Sequence, residues 1–75
     1  METAYVLLNC DLGYEEAVIE DLEHIDSVKE IHGVYGAYDI IARVKNSERE
    51  TIMWKIRKLE HVHSTLTLMG IQGQN

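Results

Sequence analysis

An eight-residue segment near the start of the chain, Thr3–Cys10, limits the fold more than any other feature of the sequence. The segment is short, apolar and rich in residues that favour strands. Both of its alternating sets are apolar: Ala4, Val6, Leu8 and Cys10 form one, and Tyr5 and Leu7 form the other. A strand that is apolar on both sides is covered on both faces of its sheet. We therefore predict a β-strand here, in a sheet with both faces covered.

Five further elements follow from the spacing of apolar residues and the breaks between them. A helix is predicted over 14–25, because Tyr14, Val18, Leu22 and Ile25 recur at helical spacing. Ser47 and Glu50 have the spacing of a capping box, which predicts a second helix ending near Leu59. The predicted strands cover 28–35, 39–45 and about 62–71, and a polar tail covers 72–75.

Alternation assigns the side chains of these strands to faces. In the third strand Ile40, Ala42 and Val44 are predicted to point inward. In the second strand Ile31 and Tyr35 are assigned to one face, opposite Val28. In the last strand one face is predicted to hold Val62, Leu66 and Leu68, and the other to hold His63, Thr65, Thr67 and Met69.

The predicted order is strand, helix, strand, strand, helix, strand. This order predicts a ferredoxin-like α+β fold with the pattern βαββαβ, in which two right-handed crossovers place both helices on one face of an antiparallel sheet. The expected strand order is 4-1-3-2. With 75 residues and no linker-like segment, we interpret residues 1–75 as one domain.

The sheet face opposite the helices has no cover within the chain, yet it is predicted to be apolar. Its expected members are Tyr5, Leu7, Ile31, Tyr35, Ile41 and Met69. A patch of this extent is unusual on a monomer. The single cysteine excludes a disulfide within the chain, so a domain this small has assembly as its remaining means of stabilisation. We therefore expect a symmetric dimer, packed sheet on sheet.

Composition argues against several classes of function. The net charge of −6 comes from seven Lys and Arg against thirteen Asp and Glu, which disfavours direct binding of nucleic acid. No apolar run has the length of a membrane span, and the first residues do not resemble a secretory signal. A single free cysteine suits a reducing compartment, so we expect a cytoplasmic protein. No cofactor motif and no catalytic order of nucleophile and base is present.

Three motifs resemble the effector-binding (RAM) domain of the Lrp/AsnC transcription regulators, over residues 4–71. The first strand with its following loop, AYVLLNCDLG, is similar to the opening of the family domain. The segment VYGAYDII resembles the family pattern G-x-Y-D, and VHSTLT resembles V-x-x-T-x-T. The chain starts directly at the first strand, whereas the regulators carry an N-terminal helix-turn-helix, so it resembles a stand-alone domain.

The resemblance implies an assembly and a ligand. The family dimerises through its sheet faces, giving a dimeric α+β barrel, and the dimers associate into rings, here expected to be octamers or decamers. Amino-acid-like effectors bind between dimers near the G-x-Y-D turn. Without a helix-turn-helix, the expected roles are effector sensing and modulation of full-length Lrp/AsnC-type paralogues by mixed assembly.

Six residues are therefore candidates for ligand contact: Gly36, Ala37, Tyr38, Asp39, Thr65 and Thr67. Gly36 can adopt positive φ and leave backbone N–H groups open to a carboxylate, while Asp39 can accept from an amino group. Tyr38 can wall the pocket. The alternative is that Gly36 and Asp39 serve only the turn and that Tyr38 packs in an interface. The two threonines can bind a polar group, or they simply suit a strand.

The histidines and the cysteine are weighed in the same way. His61 and His63 have the spacing of a strand pair that can bind zinc, but no third ligand has a matching spacing. We interpret them as solvated or interface residues able to make assembly sensitive to pH, and predict no metal site. Cys10 has no basic neighbour and is interpreted as a small apolar side chain. Trp54 lies off the buried stripe of its helix, as an interface anchor or at the edge of the core.

Three functions remain open at this point. The leading hypothesis is an oligomeric sensor of an amino-acid-like effector. The second is a structural or adaptor protein that assembles without a ligand. The third is a small enzyme built on a dimeric α+β barrel, which requires a deep pocket with convergent polar groups.

Overall fold

The computed structural model describes residues 3–69, without the side chain of Met69. It contains β1 (Thr3–Cys10), α1 (Glu15–Glu23), β2 (Val28–Gly33), β3 (Ile40–Lys45), a single 3₁₀ turn (Asn46–Glu48), α2 (Arg49–Arg57) and β4 (Val62–Met69). The four strands form one antiparallel sheet in the order β2-β3-β1-β4. This confirms the α+β, ferredoxin-like βαββαβ fold and the predicted order 4-1-3-2. Within residues 3–69 no helix is long and apolar enough to cross a membrane.

The core lies between the sheet and the two helices. The inward set of β1, which is Ala4, Val6, Leu8 and Cys10, is buried as predicted, and so is the set Ile40, Ala42 and Val44 of β3. Val18 and Leu22 of α1 and Ile52, Met53 and Ile56 of α2 complete the same cluster. Because both helices bury their apolar stripes against these strands, both lie on one face of the sheet.

In the second strand the side chains are assigned to the sheet faces differently from the prediction. The pairing of β2 with β3 shifts between Val28 and Glu30, which marks a β-bulge. A bulge adds one unpaired residue and so reverses the alternation beyond it. Val28 and Ile31 therefore both pack against the core, and the prediction that Ile31 faces away from Val28, on the open sheet face, is wrong. The strand also ends at Gly33, two residues earlier than predicted.

The last strand has a second irregularity. Its pairing with β1 shifts between Asn9 and Cys10, so that Cys10 pairs with Val62 and Asn9 with Ser64. His63 is the extra residue, and the faces reverse there. Val62 packs against the core, whereas Leu66 and Leu68 pair with Leu7 and Tyr5 on the opposite face. The prediction that Val62 shares a face with Leu66 and Leu68 is therefore wrong.

The open face of the sheet is apolar, with a membership that differs in part from the predicted one. Tyr5, Leu66 and Leu68 are 40%, 43% and 48% exposed, and Leu7 and Ile41 are half-buried beside them. Tyr35, by contrast, lies outside β2 and is fully exposed. Met69 was assigned to this face, and its side chain lies outside the described residues.

The start of α2 also differs from the prediction. The residues of the proposed capping box lie in the 3₁₀ turn and the first residues of the helix, and the cap position, Glu48, makes no side-chain hydrogen bond to the helix. The tighter turn moves the first α-helical residue to Arg49, so Ser47 no longer stands at the cap.

Candidate functional site

Most of the polar residues that were candidates for ligand contact lie at one end of the sheet. Gly33, Ile40, Leu8 and Thr65 lie side by side across the four strands at this level. Neighbouring strands are about 4.8 Å apart, so Ile40 and Thr65 are separated by about 10 Å. β1 ends here, β4 begins here, and the connection between β2 and β3 closes the same end. The topology therefore brings the G-x-Y-D segment and Thr65 to one edge of the domain.

The connection over residues 34–39 is an open loop rather than a tight hairpin. The backbone N–H of Val34 donates to the carbonyl of Asp39 at 2.9 Å and closes the loop. Among the described residues, the N–H groups of 35–38 donate to no backbone carbonyl. Gly36 has φ +137, and the space beside its Cα is empty, so it is exposed at the tip. Ala37 is exposed, and Tyr38 is half-buried. The loop thus offers N–H groups at an accessible surface.

Asp39 joins this loop to the end of β1. Its Oδ2 accepts a hydrogen bond from the backbone N–H of Cys10 at 3.0 Å, and its own N–H donates to the carbonyl of Leu8 at 2.9 Å. The side chain of Cys10 also lies within hydrogen-bonding reach of this carboxylate. Sequence reasoning assigned Asp39 either to the amides of its own turn or to a ligand. The structure shows a third partner, Cys10 at the end of the neighbouring strand.

An acidic depression of about 370 Å³ lies beside Asp39. Its lining residues are Glu15, Gly33, Val34, Tyr35 and Asp39. Glu15 begins α1, and its Oε1 accepts from the N–H of Gly13 at 3.1 Å. Two carboxylates at one apolar-walled depression favour a cationic group, such as an ammonium. Glu15 was predicted only to complement the helix dipole, so sequence reasoning missed its place in this depression.

The thiol of Cys10 lies near several negative charges at this end of the sheet. Burial raises the pKa of Cys10, and the charges of Asp39, Glu15 and Asp11 raise it further. A raised pKa keeps the sulfur protonated and unreactive. The interpretation of Cys10 as a small apolar side chain agrees with its burial.

The two candidate threonines have different surroundings. Thr65 lines a second depression, of about 340 Å³, with Arg57, Val62, His63 and Ser64. Thr67 lies beneath α2, where its Oγ1 donates to the sulfur of Met53 at 3.3 Å. The structure therefore places Thr65, but not Thr67, at a depression that also holds a guanidinium and a second hydroxyl.

Sequence reasoning missed a pair of contacts at this end of the sheet, in which the carboxylate of Asp11 binds both His61 and His63. We call this arrangement the clasp. Asp11 Oδ2 lies 2.8 Å from Nδ1 of His61, and Asp11 Oδ1 contacts Nε2 of His63. The ring of Tyr14 stacks on His61 with centroids 3.7 Å apart. His61 has a φ of +76, which is uncommon for a residue with a side chain, and its carbonyl accepts from the N–H of Asp11 at 2.8 Å. The predicted strand order could have indicated this contact. It places the first and last strands side by side and antiparallel, which brings the end of the first strand close to the start of the last.

This clasp ties the loop before β4 to the loop after β1. The hydrogen bond from His61 lowers the pKa of Asp11, and the charge of His63 lowers it further. In the described residues no group of three or more His, Cys, Asp or Glu side chains is arranged to hold a metal ion. The arrangement is that of a structural ion-pair network.

Comparisons with solved structures find the same fold in other proteins. FFRP-DM1 is 36% identical, with 95% of this chain and 100% of that chain covered and a TM-score of 0.83. TTHA0845 from Thermus thermophilus is 29% identical over 100% and 99% of the two chains, with a TM-score of 0.89. A transcriptional regulator of Neisseria meningitidis, solved as an L-Met complex, shares the fold at 8% identity and a TM-score of 0.78, over 99% of this chain and 52% of that chain. A search of curated protein sequences gave no match.

Together with this fold, a family match defines a regulatory ligand-binding domain. The family model of the Lrp/AsnC ligand binding domain matches residues 3–72. The chain belongs to this family, which confirms the resemblance drawn from its motifs. The family comprises regulatory effector-binding domains of transcription regulators rather than enzymes.

Proposed function

We propose that this chain is an oligomeric sensor of a small amino-acid-like effector, which binds at the 34–39 loop between assembled dimers. The observation that carries the proposal is the acidic depression, which the carboxylates of Asp39 and Glu15 line beside a loop with open N–H groups. An amino acid offers the complementary pair of charges. Its ammonium meets Asp39, and its carboxylate meets the N–H groups of the loop.

The second depression completes the polar contacts in the assembly. Arg57 and Thr65 provide a cation and a hydroxyl about 10 Å across the sheet from the loop. Within one chain the 34–39 loop and this depression are too far apart for a small ligand to contact both. A small ligand contacts both only where the loop of one copy approaches the depression of another. This geometry supports binding between subunits. The L-Met complex of the Neisseria meningitidis regulator is consistent with an amino acid as the ligand class.

The dimer is proposed to form through the open sheet face. Tyr5, Leu66 and Leu68 expose apolar surface there, and a second copy of the same face is its natural cover. Dimers then associate into octamers or decamers. The effector acts by population shift, because it stabilises the assembly whose loops form the site. The transcriptional output is delegated to full-length Lrp/AsnC-type paralogues that join the mixed assembly.

The test is a titration of amino acids against the wild-type protein and the Asp39→Asn variant. Asparagine keeps an acceptor oxygen for the N–H of Cys10 but has no charge, so the loop stays in place. We expect at least one amino acid to bind the wild-type protein and to lose about tenfold or more in affinity in the variant. Equal affinities would remove Asp39 from the site. Absence of binding across the panel would favour an adaptor that assembles without a ligand.

A further inference from the structure

The two helices carry opposite charge on their outer surfaces. α1 holds five acidic residues and no lysine or arginine: Glu15, Glu16, Glu20, Asp21 and Glu23. α2 and its C-terminal cap hold four basic residues, Arg49, Lys55, Arg57 and Lys58, against one acidic residue, Glu50. Both helices cover the same face of the sheet. The helical layer is therefore negative along one helix and positive along the other, although the chain as a whole has a charge of −6.

The outermost stripe of α2 has the composition of a contact surface. Thr51, Trp54, Lys55 and Lys58 are exposed and follow the spacing of one helix face. Trp54 is 61% exposed, and Nζ of Lys58 lies 3.6 Å from the centre of its ring. Tryptophan is enriched among the residues that dominate interfaces, and burying its ring removes a large apolar area from water.

The matching stripe of α1 has the same spacing and the opposite charge. Its members are Ala17, Glu20, Asp21 and His24, all exposed. Ala17 is small and leaves room for a large side chain, and Glu20 and Asp21 lie beside it on the helix surface. An aromatic ring with two lysines on one stripe thus corresponds to a small residue with two carboxylates on the other.

The charges of these two stripes form no ion pairs with each other within the described part of the domain. The ion pairs seen there lie elsewhere: Glu30 with His32 and Arg43 on β2 and β3, and Asp11 with His61 and His63 at the end of the sheet. No acidic residue of α1 forms an ion pair with Lys55 or Lys58 across the described helical layer. Both stripes are therefore available to a partner.

We propose that the helical layer packs against the helical layer of a second copy of this chain, with the acidic stripe of each α1 against the basic stripe of the other α2. A two-fold axis between the copies makes this contact twice. Trp54 packs over Ala17, and the lysines on either side of it meet Glu20 and Asp21. The contact is separate from the open sheet face and requires no effector. Two different two-fold contacts on one chain allow dimers to associate further.

A second copy fits this surface better than a nucleic acid does. A polyanion that approached the two lysines would also meet the five acidic residues of α1. Neutralising a phosphate backbone takes several cations that act together, whereas this stripe offers two. A second copy supplies the opposite charge to both helices at once, and such complementarity sets specificity and association rate.

The experiment is a charge swap with mixing. The variants are Lys55→Glu with Lys58→Glu, and Glu20→Lys with Asp21→Lys. The control, Asp26→Lys with Glu60→Lys, makes the same change in net charge as the second variant at exposed positions of the loops before β2 and β4. Native mass spectrometry and light scattering at about 0.05 M salt measure the mass, and circular dichroism confirms that each variant is folded.

We expect the mass of each helix variant to fall by about half or more, because a two-fold contact joins two equal parts. The control should keep the parental mass, and an equimolar mixture of the two helix variants should restore it. Trp54 is the single tryptophan of the chain, so its emission should shift to longer wavelength in either variant alone and return in the mixture. Unchanged masses in both helix variants, or a mixture of folded variants that fails to recover, would overturn the proposal. So would binding of duplex DNA that Lys55→Glu with Lys58→Glu abolishes.

Discussion

The carboxylate of Asp39 accepts a hydrogen bond from the backbone N–H of Cys10 at 3.0 Å and so fixes the 34–39 loop to the end of β1. The two residues are 29 positions apart in sequence. The carboxylate of Asp39 thus has a structural role, and the same residue lines a depression together with Glu15. A single side chain therefore both positions the loop and places a negative charge at the proposed ligand site. Substitutions that remove one of these properties and keep the other distinguish the two roles.

Substitution of Asp39 separates these two roles. Asp39→Asn should leave the free energy of unfolding within about 1 kcal/mol of wild type, because the amide oxygen still accepts from Cys10. Asp39→Ala leaves that N–H without a partner and should cost about 1–3 kcal/mol. Denaturant unfolding measures both. Equal destabilisation by the two substitutions would show that the hydrogen bond to Cys10 contributes little.

Substitutions of the two threonines test which part of β4 contacts the ligand. Thr65 lies in the depression with Arg57, whereas Thr67 donates to Met53 beneath α2. Thr65→Val should weaken effector binding by about tenfold, the equivalent of one lost hydrogen bond to a charged group. Thr67→Val has the same change in chemistry and should leave the affinity unchanged. Calorimetric titration of both variants measures this, and a larger loss in Thr67→Val would reverse the assignment.

The open sheet face is tested by a charge placed at its centre. Leu66 pairs with Leu7 on that face, so Leu66→Glu would bury a carboxylate in the proposed dimer. We expect this variant to be a folded monomer by light scattering. The matched control is Leu12→Glu, because Leu12 is 94% exposed in the loop between β1 and α1. A Leu66→Glu protein that keeps the wild-type mass would contradict a sheet-face dimer.

The clasp around Asp11 predicts a dependence of stability on pH. The pKa of Asp11 is lower in the folded chain than its ordinary value of 3.8, so the unfolded chain binds the proton first. The stabilisation is therefore complete above about pH 5 and decreases as the pH falls through the folded-state pKa. Asp11→Asn should flatten the loss of stability between about pH 5 and pH 3, as measured by denaturant unfolding at each pH.

Asp26 provides the control for this experiment, because it is exposed and its side chain makes no ion pair within the described residues. Asp26→Asn should keep the wild-type profile. If Asp11→Asn and Asp26→Asn gave the same profile, the contacts of Asp11 with His61 and His63 would have no energetic role.

The sequence predicted those parts of the fold in which the apolar pattern keeps its period. Thr3–Cys10 and the inward set of β3 follow strict alternation, and their burial agrees with it. β2 and β4 each contain a bulge, which a period of two cannot represent, so Ile31 in β2 and Leu66 and Leu68 in β4 were assigned to the wrong faces. The errors begin at the bulges and affect only the residues on one side of them.

The candidate site was predicted in part, for a similar reason. Asp39 and Thr65 were named from motifs, and the topology places them at one end of the sheet. Glu15 and the clasp of Asp11 with His61 and His63 were missed, because they depend on the meeting of loops distant in sequence. The positive φ of His61 has no sequence signal, since such values are expected of glycine.

Native mass spectrometry with and without a panel of amino acids tests the central claim most directly, because it reads stoichiometry and ligand occupancy together. We predict a multiple of dimers for the wild-type protein, with at least one amino acid bound and a shift in the distribution of assemblies when it binds. The Asp39→Asn variant should show the same assemblies without the ligand-dependent shift. A monomer that binds no amino acid would contradict the account.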